Sequence, residues 1–165
     1  MPTRLIAILA FSLAAASTPS PSARISPPTR KDQPPTIHAK GTFEVKLTPQ
    51  TDNIDPTLGR MTIEKQIHGD LEATSKGQML TGGTDVKGSG VYVAVERVTG
   101  KLAGRNGSFL LHHTGIMTRG EPHLAITVVP DSGTGELVGI TGKMNIIITE
   151  GKHSYDFEYT LTSAP

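Results

Sequence analysis

Glu96 and His113, with the hydroxyls of Tyr92, Tyr155 and Tyr159 around them, are the residues of this chain whose types and spacing could do chemistry. Glu96 stands in Val91-Tyr92-Val93-Ala94-Val95-Glu96-Arg97-Val98, where alternation puts Tyr92 and Glu96 on one side of a strand and makes that side otherwise apolar. A carboxylate set among Val, Ile and Met is expensive unless it is paired or hydrogen-bonded. Desolvation raises its pKa, which suits it to general acid or base work, with His113 as the second titratable group. The competing reading is an interior Glu pinned by tyrosine hydroxyls to hold strand register.

Other constellations are weaker. Adjacent His112 and His113 point to opposite faces of a strand, and His38, His68, His123 and His153 fall at no ligand spacing with them, so no metal is expected. The chain has no cysteine, which excludes a disulfide scaffold, a thiolate nucleophile and cysteine-ligated metals. Asp131-Ser132-Gly133-Thr134-Gly135 and Gly82 to Gly90 are glycine-rich, but neither ends in Gly-Lys-Ser/Thr before a helix, so both read as turns and no cofactor is implied. Ser108, Ser132 and Ser154 lack a nucleophile elbow. Asn106-Gly107-Ser108 matches a glycosylation sequon, and a hairpin turn explains it with less.

The elements that must position these residues are strands. All 18 glycines lie from Gly41 onward, β-branched residues are dense there, and apolar residues alternate with polar ones. Candidate strands are Ile37–Leu47, Arg60–Thr74, a short piece near Gly77–Thr81, Val86–Leu102, Ser108–Thr118, His123–Val129, Glu136–Glu150 and His153–Thr162. The fold class is therefore all-β: a small antiparallel β-barrel of about eight strands, or a sandwich of the same size.

Turns fix which residues sit opposite each other and hence share a face. Turns at Asn106-Gly107, Arg119-Gly120, Pro130 to Glu136 and Gly151-Lys152 gather Glu96, Val98, Leu102, Phe109, Leu111, His113, Met117, Leu124, Ile126, Val138, Met144, Ile148, Tyr155, Phe157 and Tyr159 on one dry face. Arg97, His112, His123, Lys143, Asp156 and Glu158 go to a wet one. In this register His113 faces Gly100 and Glu96 faces Met117. The two are then two pleats apart, on the order of 13 Å, and a direct dyad needs barrel tilt or a bridging water.

Several stretches also resemble a known family. Gly90-Val91-Tyr92-Val93-Ala94-Val95-Glu96-Arg97-Val98-Thr99-Gly100, Gly104-Arg105-Asn106-Gly107-Ser108-Phe109, His113-Thr114-Gly115, Val128-Val129-Pro130-Asp131-Ser132-Gly133-Thr134-Gly135-Glu136-Leu137 and His153-Ser154-Tyr155-Asp156-Phe157-Glu158-Tyr159 are similar to a bacterial family called domain of unknown function 3224. The resemblance runs from about Gly41 to Leu161. It implies a barrel like that of allene oxide cyclase and the dirigent proteins, and no established activity. His112 and Asp131 depart from the family pattern, which carries Gln and Gly at those places.

Met1 to Ala16 reads as a secretory leader: Arg4, an apolar run broken only by Ser12, then Ala14-Ala15-Ala16 at a cleavage site. The run is too short to span a bilayer and no lipobox cysteine follows, so a secreted or periplasmic product without a stable membrane anchor is expected. Residues 17–40, with Pro19, Pro21, Pro27, Pro28, Pro34 and Pro35, read as a Pro/Ser-rich disordered linker, and 41–165 as the barrel domain. Formal net charge is +1 and the basic excess sits ahead of the barrel, which argues against a nucleic-acid partner.

Three functions compete. A binding module would hold a small apolar ligand against Tyr92, Met117, Met144, Tyr155 and Tyr159; this ranks first. A cyclase- or isomerase-like enzyme would use Glu96 and His113 as its catalytic pair, a reading implied only by the resemblance. A structural or interaction protein would fill its own barrel. Gly115, Gly142, Ala94, Met117 and Met144 leave the interior volume undecided, and the residues leave open whether the chain forms a homo-oligomer.

Overall fold

The computed structural model describes residues 34–51 and 54–162. The expected leader at 1–16, and the expected linker up to residue 33, lie outside the described residues. Eight antiparallel strands close into a barrel in chain order: β1 (Ile37–Pro49), β2 (Leu58–Gly69), β3 (Leu71–Gly83), β4 (Gly90–Leu102), β5 (Arg105–Thr118), β6 (Glu121–Val128), β7 (Ile140–Thr149) and β8 (Lys152–Leu161). Every strand pairs with its neighbours in sequence, and β1 pairs with β8 to complete the ring. Closure leaves no free sheet edge.

Alternation explains the interior. Odd positions of β1, β2, β3, β5 and β8 and even positions of β4, β6 and β7 point inward, so Phe43, Ile67, Leu71, Val98, Leu102, Phe109, Leu111, Ile126, Met144 and Phe157 form one core. Phe157 stacks between Phe109 and Tyr159, at ring separations of 5.6 and 5.3 Å. At the end holding the β2–β3 and β4–β5 turns, the loop from Val129 to Gly139 folds a 3-10 turn, Gly135–Leu137, against β5 and buries Leu137. Thr134 N–H donates to the Ser108 carbonyl and the Ser132 hydroxyl accepts from Leu110 N–H. The lower half of β5 thus pairs with this loop instead of with β6.

Three tight turns are built alike: Ala103-Gly104, Arg119-Gly120 and Glu150-Gly151 each place both residues at positive φ, the two-residue geometry that matches strand twist. The β4–β5 turn is therefore Ala103-Gly104, and Asn106-Gly107 lies inside β5, where a Cβ on Gly107 would collide with the Thr134 carbonyl. The β7–β8 turn is Glu150-Gly151, one residue earlier than expected, and β6 meets β7 at Thr127↔Lys143 across the long loop. Each correction slides a strand by an even number of residues along its partner. Inside and outside are therefore preserved while the facing pairs change.

Other expectations need correcting. The strand drawn at Arg60–Thr74 is two strands, divided at Gly69 (φ 114) and Asp70, whose backbone N–H donates to the Lys40 carbonyl. β4 starts at Gly90 and β7 at Ile140, because Thr84 to Ser89 and the 3-10 turn take up the residues before them. β1 opens at Ile37, ahead of the Gly41 boundary drawn from composition, because Ala39 is buried opposite Phe157. Val138 and Ile148, expected on the dry face, are exposed at the ends of the barrel. The outside is not uniformly wet either: Leu80, Val91, Val93, Val95 and Ile116 form an exposed apolar strip over β3, β4 and β5. Asp131 has φ 59, a left-handed backbone that explains why Gly suits that position.

Candidate functional site

Two places inside the barrel could carry function, a buried charged cluster and an apolar pocket at one mouth. The cluster is centred on Glu96 of β4. The observed register sets Glu96 opposite Leu111 and His113 opposite Ala94, so the two are diagonal neighbours and not two pleats apart. His113 Nε2 lies 2.9 Å from Glu96 Oε1. His113 Nε2 makes no hydrogen bond among the described residues, so the contact is a close approach and not a directional bond.

Two partners of Glu96 come from strands whose register the turns did not reveal. Lys65 of β2 donates from Nζ to Glu96 Oε1 at 2.7 Å, and Ser75 of β3 donates from Oγ to Oε2 at 2.5 Å. Lys65 and Ser75 face each other across the β2–β3 ladder. The Lys65 ammonium also stands 5.1 Å from the centre of the Phe43 ring. Gly77, paired with Glu96, makes the room: a Cβ there would collide with the Val95 carbonyl and crowd Glu96 Cγ.

Burial pushes the Glu96 carboxyl up, but His113, Lys65 and Ser75 outweigh it and hold the group down at about 2. This corrects the expectation of a raised pKa: Glu96 is a fixed anion at neutral pH. Glu96 is 1% exposed, and the Lys65 and His113 side chains 9% and 4%. Such a cluster ties β2, β3, β4 and β5 together. A group held ionised so far below neutrality is a poor proton shuttle there.

The tyrosines separate. Tyr155 sits near the β2–β3 turn, where its hydroxyl accepts from Leu71 N–H at 3.0 Å and donates to the His68 carbonyl at 3.3 Å. Tyr159 and Met144 are buried in the main core. No tyrosine hydroxyl touches Glu96; the pins are Lys65 and Ser75.

Tyr92 and Met117 line the pocket. It lies at the mouth formed by the β3–β4 loop and the β5–β6 turn, encloses about 270 Å³, and is walled by Met79, Tyr92, Gly115, Met117, Pro122 and Leu124 together with Thr81, Gly82, Gly90, Val91, Ile116 and His123. Met117 and Leu124, expected inside, are nearly half exposed because they form this rim. The wall contains neither Glu96 nor His113; buried Met79 and Ala94 are the next inward-facing residues of β3 and β4 below Thr81 and Tyr92. Among the described residues no group of three or more His, Asp or Glu side chains comes together in a way that could hold a metal.

Residues 39–159, which carry the whole ring from β1 to β8, match the model of a family described as "Protein of unknown function (DUF3224)". The chain belongs to the DUF3224 family. A crystal structure of a DUF3224 protein from Shewanella oneidensis MR-1, titled as being of unknown function, is similar at 48% identity and a TM-score of 0.75, covering 79% of this chain and 100% of the other. No curated protein matches the chain. For this DUF3224 barrel the chemistry must therefore be argued from the cluster and the pocket themselves.

Proposed function

We propose that this protein is a binding module that takes a small apolar ligand into the mouth of its barrel. The observation that carries the reading is the pocket: about 270 Å³, walled largely by Met, Tyr, Pro, Leu, Val and Ile side chains. That volume lies at the small end of ligand sites, and an apolar wall with a few polar groups is what such sites share. Met79 and Met117 add adaptable thioethers that can fit more than one shape. The leader-like Met1 to Ala16 supports a role outside the cytoplasm.

A cyclase or isomerase reading drew on Glu96 as acid or base and on likeness to allene oxide cyclase barrels. The closed, ionised state of Glu96 favours binding over that chemistry. Amide NMR titration with toluene tests the binding reading. Saturable shifts confined to Met79, Tyr92, Gly115, Met117 and Leu124 are expected. Absence of saturable shifts, or shifts centred on Val93 and Val95 of the outer face of β4, would overturn it.

A further inference from the structure

The pocket's wall holds no Asp, Glu, Lys or Arg, and its polar side chains are Thr81, Tyr92 and His123. Of these, Tyr92 is set most deliberately. It faces Gly115 across the β4–β5 ladder, and its ring occupies the space of the missing side chain: a Cβ on Gly115 would collide with Cε1. Glycine at 115 thus lets the ring lie down on β5 and leaves the mouth open. Tyr155 spends its hydroxyl on Leu71 and His68, whereas the Tyr92 hydroxyl makes no hydrogen bond among the described residues. A half-buried phenol with an unused donor, in an otherwise apolar wall, is a polar handle for a ligand.

Charge narrows the chemistry. With no Lys or Arg in the wall, an anionic head would lose its hydration and find no fixed counter-charge. The Glu96 anion, four residues deeper on the same face of β4 with Ala94 between, acts in the same direction: burial and this anion both push the Tyr92 phenol up, so the hydroxyl stays protonated and able to donate.

Resting on the binding reading above, we propose that the pocket selects uncharged ligands carrying one carbonyl-type oxygen that accepts a hydrogen bond from Tyr92, with the Tyr92–Gly115 pair as the element that sets specificity. Three probes of matched shape test it at mildly alkaline pH: acetophenone, cumene and benzoate, each titrated by amide NMR into the intact protein and into Tyr92→Phe. Acetophenone is expected to bind about five-fold more tightly than cumene, the scale of one net hydrogen bond, with benzoate the weakest. In Tyr92→Phe the acetophenone-to-cumene affinity ratio should fall to about one, with the hydrogen bond gone. If cumene binds but benzoate equals acetophenone, or if Tyr92→Phe leaves the acetophenone-to-cumene ratio as it was, the selectivity proposal falls and the binding reading survives. If none of the three binds, both fall.

Discussion

Glu96 is worth more to the barrel's stability than an isolated buried acid, because removing it strands a second charge. Glu96→Leu leaves Lys65 inside with no counter-ion, so a loss of about 3–5 kcal/mol is expected from denaturant midpoints. Glu96→Leu combined with Lys65→Met removes both charges and should recover most of that loss; a double variant as unstable as the single one contradicts the pin. The pH dependence follows from the sign of the shift. The carboxyl is held at about 2, below its ordinary 4.5, so its contribution is complete above 4.5 and drains away as pH falls toward 2. Wild type should therefore lose more stability over that window than Glu96→Gln, as acid denaturation curves of the two would show. Lys65 was legible in principle: Met61, Ile63 and Ile67 share its parity, and a lone Lys on that side marks a buried partner for an acid. What hid it was the Gly69-Asp70 turn, which lacks an Asn-Gly signature and left β2 and β3 out of the chained register.

Strand faces were readable from alternation, whereas of the facing pairs derived from turns only those of β5 with β6, across Arg119-Gly120, match the structure. Period two is insensitive to even slips, so Glu96 and His113 were placed correctly inside and wrongly apart. The turn type explains the error. Three hairpins use an X-Gly pair with X as Ala, Arg or Glu, and the more conspicuous Asn106-Gly107 lies within β5 because Gly107 is needed where the Thr134 carbonyl approaches. Glycine against an inward side chain recurs: Gly41 beside Tyr155, Gly115 beside Tyr92 and Gly77 beside Glu96. Gly77→Ala should consequently cost about 1–3 kcal/mol, the range for overpacking a filled site, measured by thermal or denaturant unfolding; a neutral result would mean that the β3–β4 ladder has slack. The seam between β6 and β7, a single ladder pair at Thr127↔Lys143, is the thinnest in the ring. Backbone amides of β6 facing β7 should exchange with solvent faster than those of β4 facing β5, and uniform protection around the barrel would contradict this.

At the scale of the whole molecule, residues 37–161 carry the barrel, and on residues 1–33 only composition speaks. Deleting residues 17–33 should leave unfolding within about 0.5 kcal/mol of the full chain, the outcome expected from a Pro/Ser-rich composition with little apolar surface to bury. Within the barrel, the stabilising core and the proposed binding site occupy different depths: Phe109, Phe157 and the Lys65–Glu96 pair lie inside, and the apolar mouth lies above Met79. The all-β ring and its interior were legible in the chain, but the pocket was not, because its volume depends on how Tyr92 lies on Gly115, and no strand pattern encodes a ring's tilt. The central claim is that the mouth, and not the charged cluster, receives the ligand. A crystal structure of the protein soaked with acetophenone tests it most directly. The account predicts density between Tyr92, Met117 and Leu124, the ketone oxygen on the Tyr92 hydroxyl and Lys65 still bonded to Glu96. Density lodged between Glu96 and His113, with that ion pair broken, would contradict it.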